Sequence, residues 1–177
     1  MKQHKSKNIR VLAIAPSRRG FAFAVMEGQD RLVDWAVKSI KKDKNSEGLS
    51  KIKKLLSHYS PSVVVLEDCK AHGSRRAPRS QKLNEAILTL SSDRNIRTVL
   101  FSRKEILQIF FGDERGTKHA IAKAISVRFP EELGRLMPGK RRAWMSENYR
   151  MGIFDAVALA LTLYIQNHSH RPNSGIE

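Results

Sequence analysis

Val11-Leu12-Ala13-Ile14-Ala15-Pro16-Ser17-Arg18-Arg19-Gly20 runs directly into Phe21-Ala22-Phe23-Ala24-Val25-Met26. The first run is apolar as far as Ala15 and reads as a buried strand over 9–15. In the second, Phe21, Phe23 and Val25 alternate with the smaller Ala22 and Ala24, the two-residue period of a strand. Ser17-Arg18-Arg19-Gly20 between them is a charged turn. Glu27-Gly28-Gln29-Asp30 supplies another turn, and 32–37 a third strand with Trp35 and Val37 on one face. Three short strands joined by tight turns make an antiparallel meander.

Outward from the meander the period changes. After a charged connector at 41–48, Leu49, Ile52, Leu55, Leu56 and Tyr59 fall at helical spacing. Pro61 ends that helix, and 62–67 is a fourth strand. Its unbroken Val63-Val64-Val65-Leu66 suits burial on both faces. A basic loop at 70–79 leads to a helix marked by Leu83, Ala86, Ile87 and Leu90. A fifth strand follows at 96–101, then helices at 104–111 and 117–129, the latter with Ile121, Ala124, Ile125 and Phe129 as its core stripe. Residues 130–148 read as irregular, and a last helix covers 152–166. The fold class is α/β, a mixed five-stranded sheet flanked by helices. The chain has 177 residues and 41% hydrophobic content, enough for one cored domain. That domain is expected over 9–166, between a flexible basic N-terminus at 1–8 and a flexible tail at 167–177.

Charge narrows the partner. Thirty-three Lys and Arg oppose 17 Asp and Glu, a net of +16, so polyanions are attracted and nucleic acid is the expected partner. Cys69 is the single cysteine, which excludes an internal disulfide and a Cys-rich zinc site. No apolar run approaches the roughly 20 residues that span a bilayer, and 9–15 is too short for a signal peptide. A cytoplasmic protein with no membrane partner is expected. Neither a nucleophile elbow nor a Gly-rich phosphate loop occurs, so an esterase and a P-loop ATPase are set aside.

The acids suggest chemistry. Phosphodiester hydrolysis commonly uses two divalent ions, and hard ions such as Mg²⁺ need several converging oxygens. Glu67 ends the fourth strand, and Asp155 lies near the start of the last helix. Each also has a plainer reading. Asp155 can simply favour the helix N-terminus, and Glu67 and Asp68 can be solvated strand-end residues.

Ile14-Ala15-Pro16-Ser17, Leu66-Glu67 and Gly152-Ile153-Phe154-Asp155-Ala156, with Val157-Ala158-Leu159-Ala160-Leu161 after it, resemble in order and context the RuvC-type Holliday-junction resolvases. The resemblance spans about 9–166. It implies an RNase H-like (ribonuclease H-like) fold and structure-selective binding of branched DNA. It also implies an endonuclease dependent on Mg or Mn, with Glu67 and Asp155 as metal ligands and catalytic acids. Gly116-Thr117-Lys118 matches the segment where such proteins carry a lysine facing the substrate. A homodimer is implied too, since symmetric cutting needs two sites. The family pattern places acids where this chain has Ala15 and Gly152. Three explanations stay open: catalysis is lost and binding kept, Asp68 or Glu147 completes the site (Asp68 as a further metal ligand), or Ala15 is an introduced, disabling change. The alternative to a nuclease is therefore an inactive nucleic-acid-binding module or a subunit of a larger assembly.

The basic segments fit either reading. Arg18 and Arg19 follow the first strand. Lys70, Arg75, Arg76 and Arg79 form a loop rimming Glu67, and Lys118 opens a helix. Lys140, Arg141 and Arg142 precede Trp144. All are candidates for contact with nucleic-acid phosphates, on branched or duplex DNA. Trp144 reads first as a core residue, and second as a platform for a base.

Overall fold

The structure, a computed structural model, describes residues 9–113 and 115–169. The expected flexible segment 1–8 and residues 170–177 of the expected tail lie outside the described residues. Five strands form one mixed sheet: β1 (Arg10–Ser17), β2 (Gly20–Glu27), β3 (Leu32–Ser39), β4 (Val63–Glu67) and β5 (Arg97–Phe101), in the order β3-β2-β1-β4-β5. The meander pairs antiparallel, with Ala15 opposite Ala22 and Ala24 opposite Trp35. β4 runs parallel to both β1 and β5. The mixed five-stranded sheet expected from the sequence is present.

Alternation along the strands builds two cores. Leu12, Ile14, Phe21, Phe23, Val25, Val64 and Leu66 face α1 (Lys44–Tyr59) and α2 (Pro78–Asp93). Val11, Ala13, Ala15, Ala24, Met26, Val63 and Val65 face α3 (Arg103–Phe111), α4 (Lys118–Arg128) and α6 (Met151–Ser169). The side chains toward α6 are smaller, so that helix approaches the sheet closely. It is buried nearly all round, from Met151 through Tyr164, between the sheet and the outer helices. The Tyr164 hydroxyl lies 2.5 Å from the Ile9 carbonyl oxygen and 2.9 Å from that of Met26, tying α6 to the start of β1 and the end of β2.

Local chemistry moves several boundaries. α1 starts at Lys44, inside the expected connector, because Asp43 caps it from a left-handed conformation. Ala124 is exposed and Ala122 is buried in its stead, along with Ile121 and Ile125. The expected irregular stretch holds a short helix, α5 (Pro130–Leu133), and a 3₁₀ turn (Gly134–Leu136). α6 continues to Ser169, three residues beyond the apolar pattern. Gly20 opens β2 at φ +148°, where any Cβ would run into the Lys38 carbonyl oxygen.

Candidate nucleic-acid interface

Parallel β1, β4 and β5 end at one edge of the sheet, and α6 begins there. Glu67 closes β4 with a side chain only 15% exposed. Its carboxylate accepts from the Arg76 guanidinium, at 2.9 Å from Nε and with a second contact from Nη2. Asp155 sits one turn inside α6, so it does not act in the first helical turn. Lys118 Nζ stands 2.9 Å from Asp155 and 2.7 Å from Glu147. Because α6 starts at Met151, Glu147 lies in the loop before the helix and can turn back to share Lys118. Asp68 has left the strand. Its N–H donates to Phe101 (2.8 Å), and its carboxylate accepts from the Lys70 N–H (3.0 Å), which makes it a turn-former.

The electrostatics follow from this pairing. Burial pushes the Asp155 carboxyl above its ordinary range, against the pull of Lys118 and Arg76. Burial opposes the Lys118 charge, yet Asp155 and Glu147 outweigh it and hold the ammonium above its ordinary range. Burial likewise opposes the Arg76 charge, and Glu67 outweighs it. Burial pushes the Cys69 thiol up, away from nucleophilic use.

The two departures from the acidic pattern fit each other sterically. Ala15 is 2% exposed and pairs across the hairpin with Ala22. A Cβ on Gly152 would lie 2.9 Å from the Ala22 Cβ, closer than packed carbons tolerate. The helix start therefore rests directly on the hairpin, and no carboxylate fits between them without a shift. Among the described residues, no group of three or more His, Cys, Asp or Glu stands close enough to hold a metal ion. The residues present do not fit a two-metal centre. Fixed cations, Arg76 and Lys118, stand against the acids that the resemblance assigns to metal.

Around this closed cluster the surface is basic. A hollow of about 300 Å³ is lined by Glu67, Asp68, His72, Arg75, Arg76, Arg103, Lys104 and Lys118 among others. Arg18, Arg19, Lys70, Arg75, Lys140, Arg141 and Arg142 are exposed. Lys70 leans toward Glu85 at 3.1 Å, an exposed pair of little energetic weight. Arg79 turns inward. It donates to the Ser17 carbonyl oxygen and, at 3.2 Å, to Asn45 Oδ1, bracing the end of β1 against α1. That brace occupies the guanidinium that the sequence offered as a phosphate contact. Arg103 escaped the sequence reading. Its signal was its position, right after the fifth strand, as the 70–79 loop follows the fourth. Trp144 is not core: it is 78% exposed.

No family model matches the chain, and no curated protein matches it by sequence. Its shape does have solved counterparts. Thermus thermophilus RuvC superposes with a TM-score of 0.66 at 16% identity, over 91% of this chain and 96% of that one. The same figures hold for T. thermophilus RuvC in complex with a Holliday junction substrate. The yeast mitochondrial Holliday junction resolvase Ydc2 gives a TM-score of 0.61 at 14% identity, over 94% of this chain and 83% of the other. At such identities the shared property is the fold, and that fold is RNase H-like.

Proposed function

We propose that this protein is a nucleic-acid-binding module on a resolvase-type scaffold, which holds branched or duplex DNA by its phosphates without cutting it. One observation carries the reading. Each acid that the resemblance assigns to metal is neutralised from within, Glu67 by Arg76 and Asp155 by Lys118, while exposed cations ring the same edge. Ala15, Ala22 and Gly152 support it as a matched set of small residues, which a single introduced change at Ala15 would not produce. Arg18, Arg19, Lys70, Arg75, Lys140, Arg141 and Arg142 are the phosphate contacts in this reading, with Arg103 added. Arg76 and Lys118 neutralise acids first and phosphate second.

Metal-dependent cutting with Mg or Mn is the second reading. It is favoured by Glu67 and Asp68 lining one hollow beside Lys118. It requires Arg76 to leave Glu67.

Fluorescence anisotropy of labelled four-way junction and matched duplex, in chelator and across a salt series, tests the binding claim. Binding without metal is expected, with affinity falling by a slope of about −0.9 per phosphate neutralised. Absence of binding to either DNA at low salt overturns it.

A further inference from the structure

The loop 138–150 is the part of the surface that a plain phosphate-binding role leaves unexplained. Within six residues it exposes Trp144 at 78%, Met145 at 51% and Tyr149 at 45%. The loop contains no helix between Pro138 and Arg150. An amphipathic helix lying in a membrane surface is therefore absent from it. Cations interleave with the rings. Arg142 lies 5.4 Å from the centre of the Trp144 ring. Arg19, from the β1–β2 turn, lies 5.1 Å from that of Tyr149, and Arg150 lies 5.7 Å from it. Lys140 and Arg141 are exposed beside them, and no acid among the described residues pairs with Arg19, Lys140, Arg141, Arg142 or Arg150. The one acid of the loop, Glu147, is taken by Lys118 at 2.7 Å.

We infer that Trp144 and Tyr149 form a stacking platform for unpaired bases, with the surrounding arginines and lysines holding the flanking phosphates. This deepens, and rests on, the nucleic-acid reading above. Duplex DNA hides its base faces in the stack, so a protein that reads only duplex phosphates gains nothing from an exposed indole. A single strand, or the opened centre of a junction, offers both base faces and phosphates. Aromatic rings among cations match that pairing of surfaces without regard to sequence. Two contacts anchor the platform, Arg19 to the β1–β2 turn and Glu147 to the start of α4. The bases would thus be held beside the closed acid cluster, at the edge where the exposed cations lie. An acidic protein partner would satisfy the charges but has no particular need of a bare indole.

The test uses the full chain with two labelled probes, a 15-nucleotide oligothymidylate and a blunt duplex of equal length. Trp144→Ala is compared with Trp144→Phe, and Trp144 fluorescence is followed in a Trp35→Phe background. Trp144→Ala should weaken the oligothymidylate by about 5- to 150-fold, the range of one stacked base, with a much smaller effect on duplex. Trp144→Phe should recover most of that loss, and the oligothymidylate should quench the indole. Equal effects on both probes, or none, overturn the platform while duplex binding keeps the broader reading standing. If neither probe binds the unaltered chain, the broader reading fails as well. Quenching by anionic vesicles but not by oligothymidylate also overturns the platform.

Discussion

At the end of β4, Arg76 and Lys118 are half-buried and each is matched to acids. Along 138–150, Lys140, Arg141 and Arg142 are exposed with no acid partner among the described residues. The two regions are adjacent, since Glu147 of the loop reaches Lys118 of the cluster. Their difference lies in what answers each cation. Inside, desolvation makes an unmatched charge costly, so cation and acid answer each other before either answers a ligand. Outside, water answers the charge cheaply, and an arriving phosphate displaces only water and counterions. The inner acids thus serve the protein's own stability, and in the proposed reading the rim is what meets nucleic acid.

The largest break in this contrast should come from charging the packed seam. Gly152→Asp places a carboxylate against Ala22, and it should cost at least about 3 kcal/mol in denaturant unfolding. Adding Ala15→Asp should deepen the loss without creating cutting. A stable double variant that cleaves DNA with Mn²⁺ would show that the seam is an open site after all.

Next in size is Lys118→Met, which strands Asp155 without its cation. We expect about 3 kcal/mol lost at pH 7. The pH sign sharpens this. The folded-state pKa of Asp155 lies above its ordinary 3.8, so its contribution is fully present below that value and is lost as pH rises through the raised one. Removing Lys118 raises it further. Stability of Lys118→Met should therefore recover toward the parent as pH falls to about 4, in urea melts run at several pH values. A gap that stays constant with pH contradicts the pairing. Asp155→Asn, which removes the strained charge and leaves Lys118 with Glu147, should be far milder at pH 7.

On the rim the expected effects are on binding alone. Arg75→Ala should weaken duplex several-fold at low salt and reduce the salt slope by about 0.9, with the melting temperature unmoved. Arg79→Ala should do the reverse, lowering stability through the lost brace to Ser17 and Asn45 more than it lowers affinity. If Arg79 proves the stronger binding determinant, the division between inner and outer cations is misplaced.

The elements that were legible in the sequence are those whose pattern is local. Phe21, Phe23 and Val25 alternate over a hairpin, Val63 to Leu66 run without a break, and α6 is apolar nearly all round, so each announces its period and burial. The unread parts depend on distant partners. Arg79 looks like its neighbours in a basic loop, and the Ser17 carbonyl oxygen, 62 residues away, turns it inward together with Asn45. Trp144 is a large apolar residue whose exposure follows from a loop that packs through Glu147 and Tyr149 instead. Glu67 and Asp155 stood out as acids, but that Arg76 and Lys118 fill the space beside them follows from loop and helix placement. The gaps at Ala15 and Gly152 were visible as substitutions. That both adjoin Ala22 was not.

Cutting of a labelled four-way junction by the unaltered chain, in Mg²⁺, in Mn²⁺ and in chelator, bears most directly on whether the acid site is closed. Junction should be bound in all three conditions and recovered intact from each. Metal-dependent cleavage products that disappear in Glu67→Gln would contradict it.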